Sequence, residues 1–310
     1  MRLWLILIFI TSLCHAKLED HFRKIEHRNQ CNPIEHIDFI YLINLDRRPD
    51  RLQSALAQLA WFGISPCRFP AVDGLDLSAD VLNDIGLKFS PGMQMGVPVK
   101  YVSADGNWKA AFPDESFYGK TCFYQFTNQG AIGCTLSHLS VLQDAYDAGY
   151  ETIWVLEDDL GIYGHPQFLS ERIEELDRLV GKEGWDILYT DLDSYDGSIY
   201  VDGRNDFQSD LKGSLHFLWR PDRSFNDTTS FRKRTILSNH ILQIGSRART
   251  HSMVIRRLGI RKILEFEKRC GIYTNIDHEI ALVPGIRLFS LRYPLISFFD
   301  SVSDIAWSSK

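Results

Sequence analysis

The sequence predicts an α/β domain in which helices flank a mixed, mostly parallel central sheet, with long loops inserted between the regular elements. Three observations lead to this prediction. The domain opens with a strand, a helix and a second strand, in that order. Apolar runs of strand length then alternate with amphipathic helical segments, and two long stretches rich in glycine and aromatic residues show no regular period.

The opening elements have clear signals. Residues 37–43 form a nearly continuous apolar run, which is typical of a buried strand. Pro49 suits the first turn of a helix, apolar residues follow at helical spacing, and Gly63 ends the pattern. Residues 66–72 form a second extended segment, and the pair Asp73-Gly74 predicts a turn. Such strand–helix–strand units are common in nucleotide-binding α/β domains.

The later elements follow from the same spacing and breaker signals. Helices are predicted from about Gly130 to Gly149, after Pro166, around residues 258–266, and over residues 277–282 behind a capping Asn275. Strands are predicted over residues 152–156, 185–190, 251–255 and 286–291. Residues 87–126 and 197–243 lack a firm period and are expected to form the long loops, which in compact domains are often functional.

Composition and charge narrow the class of protein. The 310 residues are 45% hydrophobic and 24% charged, which is typical of a globular chain. The formal net charge of −6 argues against a general nucleic-acid binder, so no nucleic-acid partner is expected.

The first sixteen residues differ in composition from the rest of the chain. Arg2 precedes an apolar run over residues 3–13, and small-residue candidates for a cleavage site follow up to Ala16. This order is typical of a cleaved secretory signal, and the run is too short for an ordinary membrane span. The alternative is an uncleaved short anchor that would associate the chain with a membrane.

The remaining chain divides into three parts. Residues 17–36 are highly polar and are predicted to form a linker. Residues 37–300 contain no convincing internal linker and are predicted to be one domain. Residues 301–310 are predicted to be a C-terminal tail.

The acidic run after the strand at residues 152–156 is the most informative feature. Glu157, Asp158 and Asp159 follow four apolar residues directly, so a buried strand delivers them to the carboxyl edge of the sheet, where α/β sheets bind ligands. Alternation predicts that Glu157 and Asp159 face one side and Asp158 the other. Clustered carboxylates repel each other and favour a divalent cation, Mn²⁺ or Mg²⁺, which can clamp a diphosphate. The competing interpretation is a solvated acidic turn.

Other carboxylates and histidines are candidates for the same chemistry. Asp191 and Asp193 repeat the acid-x-acid pattern after another strand, so they could hold the metal or provide a general base. Asp277 is a third candidate base. His251 and His278 are both credible third metal ligands, and His278 is assigned to the predicted set with Glu157 and Asp159. For each histidine, a satisfied polar residue is the alternative.

Two further groups of residues are candidates for ligand contact. Asn44, Asp46, Arg47 and Arg51 end the first strand and open its helix, where amides and arginines favour a phosphate or a nucleobase edge. Arg51 is expected to reach back toward the strand end. Ser137 and His138 point about 100° apart on a helix, which argues against a serine hydrolase pair.

Four segments in order carry a family resemblance. They are residues 40–48 together with Arg51, residues 69–74, residues 130–138 and residues 155–159, with weaker matches at residues 185–189 and 275–278. Together they resemble the glycosyltransferase family 25 domain over roughly residues 37–290. That family includes lipooligosaccharide galactosyltransferases and collagen β-galactosyltransferases.

The resemblance implies a GT-A-type nucleotide-sugar-binding fold, a divalent metal and a UDP-sugar donor, usually UDP-galactose. It implies inverting transfer of a hexose to a hydroxyl of a glycan, glycolipid or protein acceptor. It assigns the acidic motif to Glu157, Asp158 and Asp159. The residues expected around the donor are Asn44, Asp46, Arg47, Arg51, Asp73, Asp158, Ser137 and His138. A non-catalytic sugar- or partner-binding relative that retains the fold is the alternative function.

The compartment depends on the N-terminal segment. A real secretory signal would place the chain in the lumen of the endoplasmic reticulum or Golgi, with a protein acceptor. An uncleaved anchor or a miscalled start in a bacterial protein would make the chain membrane-associated and cytoplasmic, with a glycolipid acceptor.

Overall fold

The computed structural model describes residues 16–29, 32, 34–103, 105–191, 219–223 and 229–298. The predicted N-terminal signal (apart from Ala16), the C-terminal tail and Asp193 lie outside the described residues. Within the part of the chain that is described, no helix combines the length and apolar character needed to cross a bilayer.

The regular elements are numbered in chain order over the described residues. The strands are β1 (Phe39–Asn44), β2 (Cys67–Pro70), β3 (Leu87–Lys88), β4 (Val99–Val102), β5 (Trp108–Ala111), β6 (Thr121–Tyr124), β7 (Thr152–Glu157), β8 (Leu160–Ile162), β9 (Ile187–Tyr189), β10 (Arg234–Ile236), β11 (Ile241–Ile244), β12 (Ser252–Arg256), β13 (Leu288–Leu291) and β14 (Ile296–Phe298). The α-helices are α1 (Pro49–Ala60), α2 (Ala79–Ile85), α3 (Gln129–Ala148), α4 (Phe168–Val180), α5 (Arg257–Cys270) and α6 (Ile276–Leu282).

The central sheet has eight strands in the order β10-β11-β13-β9-β12-β7-β1-β2. Strands β7, β1 and β2 are parallel to one another, and β12 runs antiparallel to both of its neighbours, β7 and β9. At the other side β13 is parallel to β9, and β11 is antiparallel to both β13 and β10. All strands except β12 and β11 therefore run the same way, and the predicted mixed, mostly parallel sheet is confirmed.

Both faces of the sheet are covered, which explains why its central strands are continuous apolar runs. Every residue of β1 is buried. Phe39 and Tyr41 belong to the core that contains buried residues of α3 and α5. Ile40 and Leu42 belong to a second core that contains buried residues of α1 and α4. The alternation of a single strand thus separates two helical layers.

The region at residues 87–126, which the sequence predicts as a long loop, contains a second sheet. Strands β3, β6, β4 and β5 form it in that order, and their neighbouring pairs are antiparallel. Its own small core includes Phe89, Val99 and Tyr273. The prediction was wrong here because strands of two to four residues are too short to show a period.

Two other local predictions also need correction. Within residues 197–243, β10 and β11 form an antiparallel hairpin that extends the edge of the central sheet. Asn275 occupies the N-cap position of α6, but its side chain makes no capping hydrogen bond. Instead its Oδ1 accepts a long hydrogen bond of 3.5 Å from Thr127 Oγ1.

The segment predicted as a polar linker contacts the domain in its described part. Leu18 and Phe22 are buried and join the core on the α3 side of the sheet. Arg28 pairs with Asp144 at 2.6 Å, and Asp144 also accepts a hydrogen bond from the hydroxyl of buried Tyr41. His21 also pairs with Asp84, and the backbone N–H of Arg23 donates to Ser140 Oγ, so several contacts attach a stretch whose composition is that of a linker.

A close backbone contact fixes the first turn of α3 against the turn that follows β2. A Cβ atom built on Gly133 would lie 2.5 Å from the backbone nitrogen of Gly74 and 2.7 Å from the carbonyl oxygen of Val72. The same contact is supported by Ser137 Oγ, which accepts a hydrogen bond of 2.8 Å from the backbone N–H of Val72. Only glycine at residue 133 permits this approach.

We therefore expect the Gly133→Ala substitution to destabilise the fold by about 1–3 kcal/mol, the usual cost of overpacking a tight contact. Chemical denaturation followed by circular dichroism measures this change. The Asp147→Ala variant is the control, because Asp147 is exposed on the same helix and its loss should change stability by no more than about 0.5 kcal/mol. Equal stabilities of the two variants would contradict the close contact.

Candidate active site

A cleft lies at the carboxyl ends of β1 and β7, between the turn after β2 and the first part of α3. It opens to solvent and contains a cavity of about 90 Å³. We call it the acidic cleft, and its polar lining consists of Asn44, Arg47, Arg51, Asp73, Ser137, His138, Glu157, Asp158 and Asp159. The residues that the sequence predicts around a donor therefore meet here, apart from Asp46, which is largely exposed and pairs with Arg68.

Glu157 ends β7 and is held by hydrogen bonds from two sides. His138 Nε2 lies 2.9 Å from its Oε1, and Thr250 Oγ1 donates to the same oxygen at 2.7 Å. Burial alone would raise the pKa of Glu157, but the His138 hydrogen bond, the nearby His251 and the Thr250 hydrogen bond outweigh it. The pKa falls to about 2, so Glu157 is a carboxylate at neutral pH.

Asp158 is held by the end of β1 and the start of α1. The buried Asn44 amide Nδ2 donates to Asp158 Oδ2 at 2.6 Å, and Arg51 Nη1 lies 3.5 Å from Asp158 Oδ1. Arg51 thus reaches the acid that follows β7, the parallel neighbour of the strand whose end it was expected to approach. Burial, with the neighbouring acids Asp159 and Glu157, raises the pKa of Asp158 to about 6 despite the Asn44 hydrogen bond.

Asp159 lies between the side chains of Arg51 and His251, at distances longer than a hydrogen bond. Its Oδ2 is 3.8 Å from Arg51 Nη1, and its Oδ1 is 3.6 Å from His251 Nε2. The Oδ1 atom is buried and has no hydrogen-bond partner among the described residues. Burial raises the pKa of Asp159, because an ionised carboxylate without close donors is costly in such a place.

Glu157, Asp159 and His251 form a group that could hold a metal ion. One ligand atom from each lies within 4.8 Å of the others. His251 directly precedes β12, which pairs antiparallel with β7 so that Ser252 lies opposite Leu156. The sequence had assigned His278 to this set. His278 is not part of this group, and its Nε2 lies 3.8 Å from Asp277.

The chemistry of this group fits a hard divalent cation. Two carboxylates supply the oxygen ligands that Mn²⁺ and Mg²⁺ prefer. The buried Oδ1 of Asp159, which has no hydrogen-bond partner among the described residues, is the kind of atom that a bound cation would satisfy. Because charge repulsion between the acids opposes their joint ionisation, a cation here would also favour the carboxylate forms of Asp158 and Asp159.

Two of the candidate bases, Asp191 and Asp277, lie in different surroundings. Asp191 is completely buried, with its carboxylate 3.1 Å from the buried guanidinium of Arg247, so it has no access to a substrate hydroxyl. Asp277 retains 16% side-chain exposure and accepts a hydrogen bond of 2.9 Å from the backbone N–H of Arg249. Arg249 has φ of 77°, so this bond stabilises a strained turn.

Ser137 and His138 have different roles, as their angular separation on α3 predicts. The Ser137 hydroxyl donates to the carbonyl of Gly133 at 2.7 Å while accepting from Val72, so it links α3 to the neighbouring turn. His138 instead contacts Glu157. Arg47 pairs with Asp73 at 2.5 Å on the rim of the acidic cleft.

Sequence reasoning missed Thr250 and Arg247 entirely. Both lie in the segment before β12, which comes close to Glu157 and Asp191 only because β12 pairs with β7 and β9. No local spacing signal marks either residue. The pairing of strands that are distant in sequence is what reveals them.

Comparisons with known proteins agree with this architecture. Residues 37–280 match the model of Glycosyltransferase family 25 (LPS biosynthesis protein). A protein of Aedes aegypti named "Glycosyltransferase 25 family member" is 32% identical over 153 residues, which are 49% of this chain and 21% of that protein. A Drosophila melanogaster protein of the same name is 26% identical over 172 residues, 56% of this chain and 24% of that protein.

A human relative has a different label. The Homo sapiens protein named "Inactive glycosyltransferase 25 family member 3" is 29% identical over 152 residues, 49% of this chain and 21% of that protein. The matches thus span about a fifth to a quarter of the length of these relatives. Because the family model matches most of the chain, from the first strand of the sheet into α6, the chain belongs to glycosyltransferase family 25.

Proposed function

We propose that this chain is a metal-dependent inverting glycosyltransferase. It transfers a hexose, which the family resemblance suggests is galactose, from a UDP-sugar to a hydroxyl of a glycan, glycolipid or protein acceptor. One observation carries the proposal, namely the grouping of His251 with Glu157 and Asp159, two acids that line the cleft at the carboxyl edge of the sheet. Family membership supports the glycosyl transfer itself.

Each part of the acidic cleft has a role in this proposal. Glu157, Asp159 and His251 would hold Mn²⁺ or Mg²⁺, and the cation would supply charge neutralisation for the departing UDP. Arg47 and Arg51 line the same cleft and add positive charge that suits a diphosphate. Asn44 keeps Asp158 in place beside the metal ligands.

The proposed reaction is a direct displacement at the anomeric carbon. The acceptor oxygen forms a bond to that carbon as the bond to the UDP oxygen breaks, and the electron pair leaves with UDP. The acceptor proton passes to a base. We assign this role to Asp277, because it is the solvent-accessible member of the two candidate bases that the structure describes. Asp193, the third candidate, remains a sequence-based prediction.

The Asp159→Ala substitution should reduce donor-dependent UDP release by about a hundredfold or more, the scale of losing a major electrostatic stabiliser. The measurement is a UDP-release assay with Mn²⁺ and a panel of UDP-sugars, run on the purified full chain. The Asp147→Ala variant, changed on the exposed face of α3, should keep the unmodified rate. Equal rates for Asp159→Ala and the unmodified protein would refute the metal assignment.

The Asp277→Asn substitution tests the base separately. The asparagine oxygen can still accept the Arg249 N–H, so the contact with this turn should survive. The hydrogen bond that Asp277 Oδ1 accepts from the His278 N–H is lost together with the proton acceptor. We expect transfer to an acceptor to fall by about 10²–10⁴-fold, with Mn²⁺ affinity unchanged. Isothermal titration with Mn²⁺ and a sugar-transfer assay measure the two quantities. Transfer at the unmodified rate would exclude Asp277 as the base.

A second candidate function is supported by the name of one relative. The human protein named inactive shares 29% identity with this chain, so a non-catalytic sugar- or partner-binding role is the alternative. In this chain the acidic motif is complete, which favours catalysis. Binding of Mn²⁺ and UDP without turnover of any UDP-sugar would favour the alternative.

The compartment and acceptor are part of the proposal. We propose a location in the lumen of the endoplasmic reticulum or Golgi with a protein acceptor, on the basis of the signal-like pattern in residues 1–16. If that segment is retained as an anchor, the proposal becomes a membrane-associated cytoplasmic enzyme with a glycolipid acceptor. Sequencing the N-terminus of the mature protein distinguishes the two.

A further inference from the structure

A buried ion pair lies directly behind His251, the histidine that approaches Asp159 of the acidic cleft. Asp191 and Arg247 are both fully buried, and Arg247 Nη1 lies 3.1 Å from Asp191 Oδ1. The guanidinium also stacks 4.4 Å above the ring centre of Tyr189. Burying two charges is costly, so this pair does not by itself stabilise the fold strongly.

The other oxygen of Asp191 faces His251. Asp191 Oδ2 accepts a hydrogen bond of 3.1 Å from the backbone N–H of His251, and it lies 3.6 Å from the ring nitrogen Nδ1. The opposite ring nitrogen, Nε2, lies 3.6 Å from Asp159 Oδ1. The imidazole of His251 thus lies between Asp159, which lines the cleft, and Asp191, which is buried on the other side of the ring.

We propose that Asp191 is a positioning residue, which holds the His251 ring so that Nε2 is presented to the metal ion, while Arg247 anchors Asp191. This inference rests on the proposed function, because it requires a cation between Glu157 and Asp159. Metal-binding histidines commonly donate their second ring N–H to a carboxylate, which fixes the ring and raises its basicity. Asp191 therefore acts behind the metal site and is not the base that the sequence suggested.

Replacing Asp191 with asparagine should disturb this arrangement for a geometric reason. The carboxylate offers one oxygen to Arg247 and the other to His251. Asparagine has a single acceptor oxygen, and the buried guanidinium competes for it. The amide NH₂ would then face the backbone N–H and Nδ1 of His251, so the proton would be favoured on Nε2, where it blocks metal coordination.

The test measures Mn²⁺ binding to the full chain by electron paramagnetic resonance. The unmodified protein should show ¹⁴N modulation of the bound Mn²⁺ from His251, and the His251→Ala variant should lose it. The Asp191→Asn variant should bind Mn²⁺ about 10–100-fold more weakly, with reduced ¹⁴N modulation. The matched control is Asp84→Asn, since Asp84 pairs with His21 at 3.1 Å and does not line the acidic cleft, and it should leave both readouts unchanged.

A second variant guards against misfolding. Asp191→Asn leaves Arg247 buried without a carboxylate, whereas the double variant D191N/R247Q removes both charges. Because neither variant keeps an anionic acceptor beside His251 Nδ1, both should bind Mn²⁺ more weakly than the unmodified protein. Thermal unfolding confirms that each variant is folded. The inference would be overturned if the Asp191→Asn variant is folded and matches the unmodified protein in both Mn²⁺ affinity and ¹⁴N modulation.

The outcomes also separate this inference from the proposed function. Mn²⁺ binding by the unmodified protein without ¹⁴N modulation would refute the role of His251 and Asp191, while the proposed metal dependence would stand. An unmodified protein that binds no Mn²⁺, alone or with UDP, would refute both.

Discussion

The accumulation of three carboxylates at the end of one buried strand is the constraint that shapes the surrounding structure. Glu157, Asp158 and Asp159 follow each other at the carboxyl end of β7, and all three side chains are largely buried. Burial of ionised acids is costly unless donors or cations compensate them. The raised pKa values of Asp158 and Asp159 indicate that the protein alone does not compensate them fully.

Each acid obtains its compensation from a different part of the chain, and the topology brings those parts together. The parallel neighbour β1 delivers Asn44 to Asp158, and α3 delivers His138 to Glu157. The antiparallel neighbour β12 begins where β7 ends, so the segment before it delivers Thr250 and His251. Because β12 runs antiparallel to β7, the residue that precedes β12 lies at the carboxyl end of β7, and this places His251 among the acids.

The sequence predicted the parts of this arrangement that depend on local patterns. The apolar run of β1, the helix started by Pro49 and the acid motif after β7 all have signals within a few residues, and all were predicted. The choice between His251 and His278 depended instead on which strand lies beside β7. The burial of Asp191 depended on Arg247, a residue 56 positions later whose role no spacing reveals. The small sheet of β3–β6 was missed because its strands are shorter than a detectable period.

The most direct test of the account is the position of the metal ion itself. Crystals of the full chain grown with Mn²⁺ and UDP can be measured at a wavelength where manganese scatters anomalously. The account predicts one strong anomalous peak in the acidic cleft, within coordination distance of Glu157, Asp159 and His251 and of the UDP diphosphate. A peak elsewhere, or UDP bound in the cleft with no manganese beside these acids, would contradict it.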